Sequence, residues 1–138
     1  MTKTKTGDWL RLANDDIVVA VDAQQRQIYH LSCFHAQQAA EKLLKALLAE
    51  RETIIPKVHS LMELYGLVVV TCPGLKEYKQ SLQILDNYYI PTRYPDALPG
   101  SLEEGLPSAE DAAQAIGDVQ ELQEFIEKAI SPTSRKML

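Results

Sequence analysis

Four neighbouring residues, Arg93-Tyr94-Pro95-Asp96, combine the groups that recognise phosphates and ribose. Arg93 offers a planar fork of donors to a phosphate or carboxylate, and Asp96 can orient that guanidinium or accept from a base or sugar hydroxyl. Tyr94 adds a hydroxyl between them, and Pro91 and Pro95 restrict the backbone that carries all three. The same Arg93–Asp96 pair would equally serve to pin a loop to its neighbours. A second set, His35, Gln38, Lys42 and Lys45, falls on one side of a helix when the chain is wound at about 100° per residue. That stripe could receive an anion such as a nucleotide phosphate. It could also be an ion-paired surface, with Lys42 and Lys45 beside Glu41 and Glu50, or a subunit contact. His59 immediately precedes Ser60, a helix-capping residue, where local packing competes with any chemical role. The histidines and cysteines show no metal-ligand spacing, and the glycines form no phosphate loop or nucleophile elbow.

These residues must be positioned by helices. The run from Tyr29 to Glu52 lacks glycine and proline and consists of good helix formers. Cys33, Ala36, Ala40, Leu43, Leu44, Leu47 and Leu48 share one arc of it, which predicts the inward face of a central helix. Gln37 falls inside that arc, so its amide needs partners within the core or across a subunit contact. A first helix is predicted from Trp9, capped by Asp8 and carrying Leu10, Ala13, Ile17 and Val21 inward. Asn14, Asp15 and Asp16 are expected to face water. Its short connection to the central helix favours an antiparallel pair. Pro56 breaks the central helix, and Ser60-Leu-Met-Glu63 matches a capping box for a short third helix. Leu67 to Val70 alone reads as a strand, but no second strand exists to pair with it. Leu75, Tyr78, Leu82, Leu85 and Tyr89 share one face of a fourth helix. Pro91 to Pro107 reads as a long loop of the kind that often carries function. Ser108-Ala-Glu-Asp111 caps a last helix with Ala112, Ile116, Val119, Leu122, Ile126 and Ile130 inward. The expected fold is all-α: an up-and-down antiparallel bundle of four main helices plus a short one. It forms a single domain over 1–138, with a core at 8–130 and flexible ends at 1–7 and 132–138.

Composition sets the outer limits. The net charge of −5 argues against broad binding to nucleic-acid backbone, although a local basic patch is compatible with it. Two cysteines make no disulfide scaffold, which points to a reducing, cytoplasmic setting. No apolar run approaches the ~20 residues that span a bilayer, and the N-terminus lacks a hydrophobic signal core.

The blocks FHAQQAAEKLLKALL, HSL at His59 to Leu61 and PTRYPDA at Pro91 to Ala97, with the opening WLRLANDD, resemble the HEPN domain (higher eukaryotes and prokaryotes nucleotide-binding). The likeness runs from Trp9 to Ile130. It implies a helical bundle, usually a homodimer, often standing beside a minimal nucleotidyltransferase whose substrate site the helical domain helps complete. Other branches of that family are metal-independent endoribonuclease toxins, marked by an Arg followed after four to six residues by a His. No Arg–His pair here has that spacing: 98, 99 and 100, where Arg93 would need its histidine, are Leu98, Pro99 and Gly100. Losing a positioned imidazole forfeits a general acid–base contribution of roughly 10²–10⁴-fold. The resemblance therefore implies a non-catalytic, nucleotide-binding or substrate-positioning partner of a separate nucleotidyltransferase subunit. Its ligand would be ATP or GTP with magnesium, with no tightly bound cofactor. The nucleotide-binding residues would be Arg93, Asp96, Tyr94, His35, Gln38 and Lys42. The alternatives are a ribonuclease toxin and a purely structural dimerisation module.

Overall fold

The computed structural model describes residues 2–89 and 106–130, apart from the side chains of residues 2–4. Arg93, Tyr94 and Asp96, with most of the proline-rich segment and the C-terminal tail, lie outside the described residues. Within them the chain is all-helical. The α-helices are α1 (Thr2–Gln25), α2 (Tyr29–Glu50), α3 (Leu61–Val68), α4 (Lys79–Asp86) and α5 (Ala109–Ala129), with a 3₁₀ segment at Pro73–Tyr78.

α1 and α2 make the most extensive contact among the described helices. They run antiparallel, because residues early in α1 meet residues late in α2. The Ser32 hydroxyl donates to the Ala20 carbonyl at 2.9 Å, Asp16 meets His35, and Trp9 meets Lys45. The turn between them closes through Gln27, whose φ of 64° is left-handed. All seven residues of the predicted inward arc of α2 are buried. So are Ser32, Gln37, Ala39, Glu41, Lys45, Ala46 and Ala49, so α2 is enclosed on nearly every side rather than along one stripe. α1, α3, α4 and α5 all pack on it. Gln37 is a satisfied core amide: its Nε2 donates to the His59 carbonyl at 3.3 Å, and its Oε1 accepts from Gln38 Nε2 at 2.7 Å.

Three expectations are corrected. Helix α1 begins at Thr2 instead of Trp9, so Asp8 is an interior residue paired with Arg11, and Thr6 and Gly7 are buried rather than part of a frayed end. The fourth helix is interrupted. Pro73 and Gly74 start a 3₁₀ segment, and regular α-geometry resumes at Lys79. Gly74 comes so close to α5 that a Cβ there would stand 3.1 Å from the Phe125 ring. At α3, Ser60 accepts from the Glu63 amide as expected, but the carboxylate reaching this end of the helix is Asp86. It accepts from the Leu61 amide at 2.8 Å and the Ser60 hydroxyl at 3.3 Å. A long-range carboxylate thus satisfies first-turn amides of α3 that the local capping box does not reach.

The Ser108–Asp111 capping box at α5 is reciprocal, with bonds of 2.9 and 3.1 Å. Every predicted inward residue of α5 is buried, including Ile130 just beyond its end. Val68 closes α3 and no strand forms among the described residues. No described helix is long and apolar enough to cross a membrane.

Candidate functional site

The polar residues of α2 sort into two clusters with different partners. The first faces α1. Asp16 accepts from His35 Nδ1 at 3.0 Å and from Lys42 Nζ. Asp16 is therefore no water-facing residue; its side chain is 13 % exposed. Burial pushes its carboxyl pKa up, but hydrogen bonds and charge from His35 and Lys42 outweigh burial and hold it below the usual value. An ionised Asp16 requires His35 to carry its proton on Nδ1. Of the predicted ligand stripe, His35 and Lys42 thus come together on an acidic partner, while Gln38 turns to Gln37.

The second cluster lies on the adjoining side of the helix. Glu41 is only 5 % exposed. It accepts from Lys45 Nζ at 3.0 Å and faces His59 Nδ1 at 3.2 and 3.3 Å. A carboxylate at this depth stays charged only if paired, which explains why Lys45 follows it inward instead of reaching for water. The Lys45 ammonium also stands over Trp9, 5.6 Å from the ring centroid. His59 is the exposed member of the cluster and stacks on Tyr89 at 5.0 Å with an interplanar angle of 12°. Tyr89 stacks in turn on Phe34, whose ring meets His35 edge-on. An aromatic row thus joins the two clusters.

Beside the second cluster opens a cleft of about 650 Å³, within the range of roughly 300–1,000 Å³ typical of small-molecule sites. Helix α1 supplies Lys5, Asp8, Trp9 and Leu12, α2 supplies Lys45, and the segment after α2 supplies Ile55, Pro56, Lys57 and His59. That segment leaves α2 through Glu52, whose φ of 56° is left-handed and swings the chain away from the helix axis. Lys45 is neutralised by Glu41, and Asp8 is engaged by Arg11. The exposed Lys5 and Lys57 then give this edge a local positive character on an acidic chain. An aromatic ring, an apolar wall and cations at the rim suit a flat apolar body carrying negative charge.

Sequence reasoning missed most of this cleft. Lys5 belonged to an end expected to fray, Trp9 to the predicted start of the first helix, and Lys57 to a helix break. The available signal was the Glu41/Lys45 pair at i, i+4 within a helix otherwise rich in alanine and leucine. No group of three or more His, Cys, Asp or Glu residues placed to hold a metal exists among the described residues.

An antiparallel helical bundle built on one enclosed helix, with polar clusters where that helix meets its neighbours, defines the class of fold. The sequence matches the HEPN domain family over residues 6–129, and the chain belongs to that family. It is similar to the protein TT1696 from Thermus thermophilus, whose crystal structure aligns with a TM-score of 0.80 at 32 % identity, covering 93 % of this chain and 98 % of that one. It is also similar to ST0689, an archaeal HEPN homologue, with a TM-score of 0.72 at 28 % identity over 91 % of this chain and 98 % of that one. No curated protein matches it significantly.

Proposed function

We propose that this HEPN domain is a non-catalytic nucleotide-binding module that positions its ligand for a separate minimal nucleotidyltransferase. The observation that carries the reading is the cleft. It offers Trp9 for a base to lie against, an apolar wall from Leu12, Ile55 and Pro56, and Lys5 and Lys57 for phosphates. ATP or GTP with magnesium is the ligand class. Arg93, Tyr94 and Asp96 remain candidates for a second phosphate contact. His35 and Lys42 act as structural ties between α1 and α2, since Asp16 already engages both. In this reading the domain works as a cytoplasmic homodimer.

The test is direct because the chain has one tryptophan, and it lies in the cleft. Trp9 emission and calorimetry are followed while the purified chain is titrated with ATP and GTP in magnesium. Saturable quenching that Lys57→Glu abolishes and Arg93→Ala spares places the nucleotide in the cleft. The reverse pattern places it at the proline-rich segment. Neither heat nor an emission change with either nucleotide refutes the reading.

RNA cleavage is the second reading, and one feature favours it. The exposed imidazole of His59 is held at Nδ1 by a buried carboxylate, an arrangement that orients a general acid or base. Induced expression would then arrest growth and leave cleaved RNA, and His59→Ala would abolish both effects. Normal growth with intact RNA, from soluble protein in cells without an antitoxin, excludes it.

A further inference from the structure

Resting on the nucleotide reading of the cleft, we infer that the site selects 6-oxopurine nucleotides over adenine nucleotides, with Lys45 as the residue that discriminates. The inner end of the cleft is where the charge is already balanced. Lys45 and Glu41 are both buried and 3.0 Å apart, so Lys45 attracts a phosphate far less than the exposed Lys5 and Lys57 do. The phosphates therefore belong at the outer lysines, and the base lies inward against Trp9.

An ammonium has three donors and no acceptor. Glu41 takes one donor of Lys45, and Lys45 itself lines the cleft, whereas Glu41 does not. Asp8 and His59 also line the cleft, but Asp8 is engaged by Arg11 and His59 by Glu41 and Tyr89, so the buried group that the base meets at this end is the Lys45 donor. Guanine and hypoxanthine present two acceptors along one edge, O6 and N7, whereas adenine presents N7 next to an amino donor. The 6-oxopurine edge satisfies Lys45. The adenine edge sets an N–H₂ group against an ammonium already desolvated by Trp9 and Glu41, which leaves a donor without a partner. The expected preference is about ten-fold or more in affinity, the lower end of what one well-placed base contact supplies.

The experiment uses the intact chain and changes the ligand first, which leaves the fold untouched. GTP, ITP and ATP are titrated with magnesium by calorimetry and Trp9 emission. GTP and ITP are expected to bind alike, because they share O6 and N7, with ATP at least about ten-fold weaker. Lys45→Met, checked for native helicity, is expected to bring GTP down to the ATP level while changing ATP little. ATP binding as tightly as GTP overturns the inference but leaves the nucleotide site standing. So does equal weakening of both nucleotides in Lys45→Met. Binding of none of the three overturns the nucleotide reading and this inference with it.

Discussion

Replacing Asp16 with alanine removes the one acceptor that receives both His35 and Lys42, and the loss should be felt in stability. Neither donor is surface decoration: His35 is 26 % exposed, Lys42 23 % and Asp16 13 % at the side chain. A hydrogen bond to a charged group is worth about 1.5–3 kcal/mol, and truncating one partner strands the other. Both donors here keep some access to water, so the two contacts together contribute about 2 kcal/mol rather than the sum of two buried bonds. At about 2.1 cal/mol/K of unfolding entropy per residue, a 138-residue chain loses roughly 7 °C in Tm for that change. Urea denaturation followed by circular dichroism gives the free energy, and a cycle with Lys42→Met isolates the pair. The pH dependence supplies a second readout with a definite sign. Because the folded pKa of Asp16 is depressed, the unfolded state binds its proton first as pH falls. The contribution is therefore complete above the unfolded value, about 3.9, and disappears as pH drops through the folded value. Asp16→Asn should flatten the stability curve in that acid range alone. A loss below about 0.5 kcal/mol, within the range of an ordinary surface substitution, or an unchanged acid profile would refute the reasoning.

Two further expectations follow from geometry. Asp86→Ala should lower stability by about 1–2 kcal/mol, as loss of a helix cap does, and should speed hydrogen exchange at the Leu61 amide; exchange mass spectrometry reads both. Cys33 is fully buried, and burial with the nearby Asp111 charge pushes its thiol pKa up to about 12. It should resist iodoacetamide at neutral pH in the native protein and react once the chain is unfolded in urea.

The fold was readable wherever a helix needed only one apolar face. The spacing of Leu43, Leu44, Leu47 and Leu48, and of Ile116, Val119, Leu122 and Ile126, placed α2 and α5 in the core without further help. What periodicity did not carry was the partner of a buried polar group. Asp16 reads as solvent-facing because acidic residues inside a helix usually face water, yet its own angle on α1 points it at Lys42 twenty-six residues away. Lys45 reads as the hydrophilic end of a stripe: the i, i+4 spacing shows that it can pair with Glu41, not that the pair is buried. Asp86 at the start of α3 was hidden for the same reason: an acceptor twenty-five residues from the Leu61 amide reaches it only after the chain has folded. The cleft combines three such non-local encounters, between the N-terminal turns of α1, the far half of α2 and the residues after Glu52.

The enclosure of α2 has an evolutionary consequence. A rod packed on nearly every side offers little room for substitution, so the inner floor of the cleft, at Lys45, is fixed by the demands of the core. Its outer lip is not. Residues 53–59 are largely exposed and belong to no helix, and loops of this kind tolerate insertion, deletion and exchange at small thermodynamic cost. The lip of the cleft can therefore change shape and length by rewriting this short segment, without disturbing the bundle that holds it.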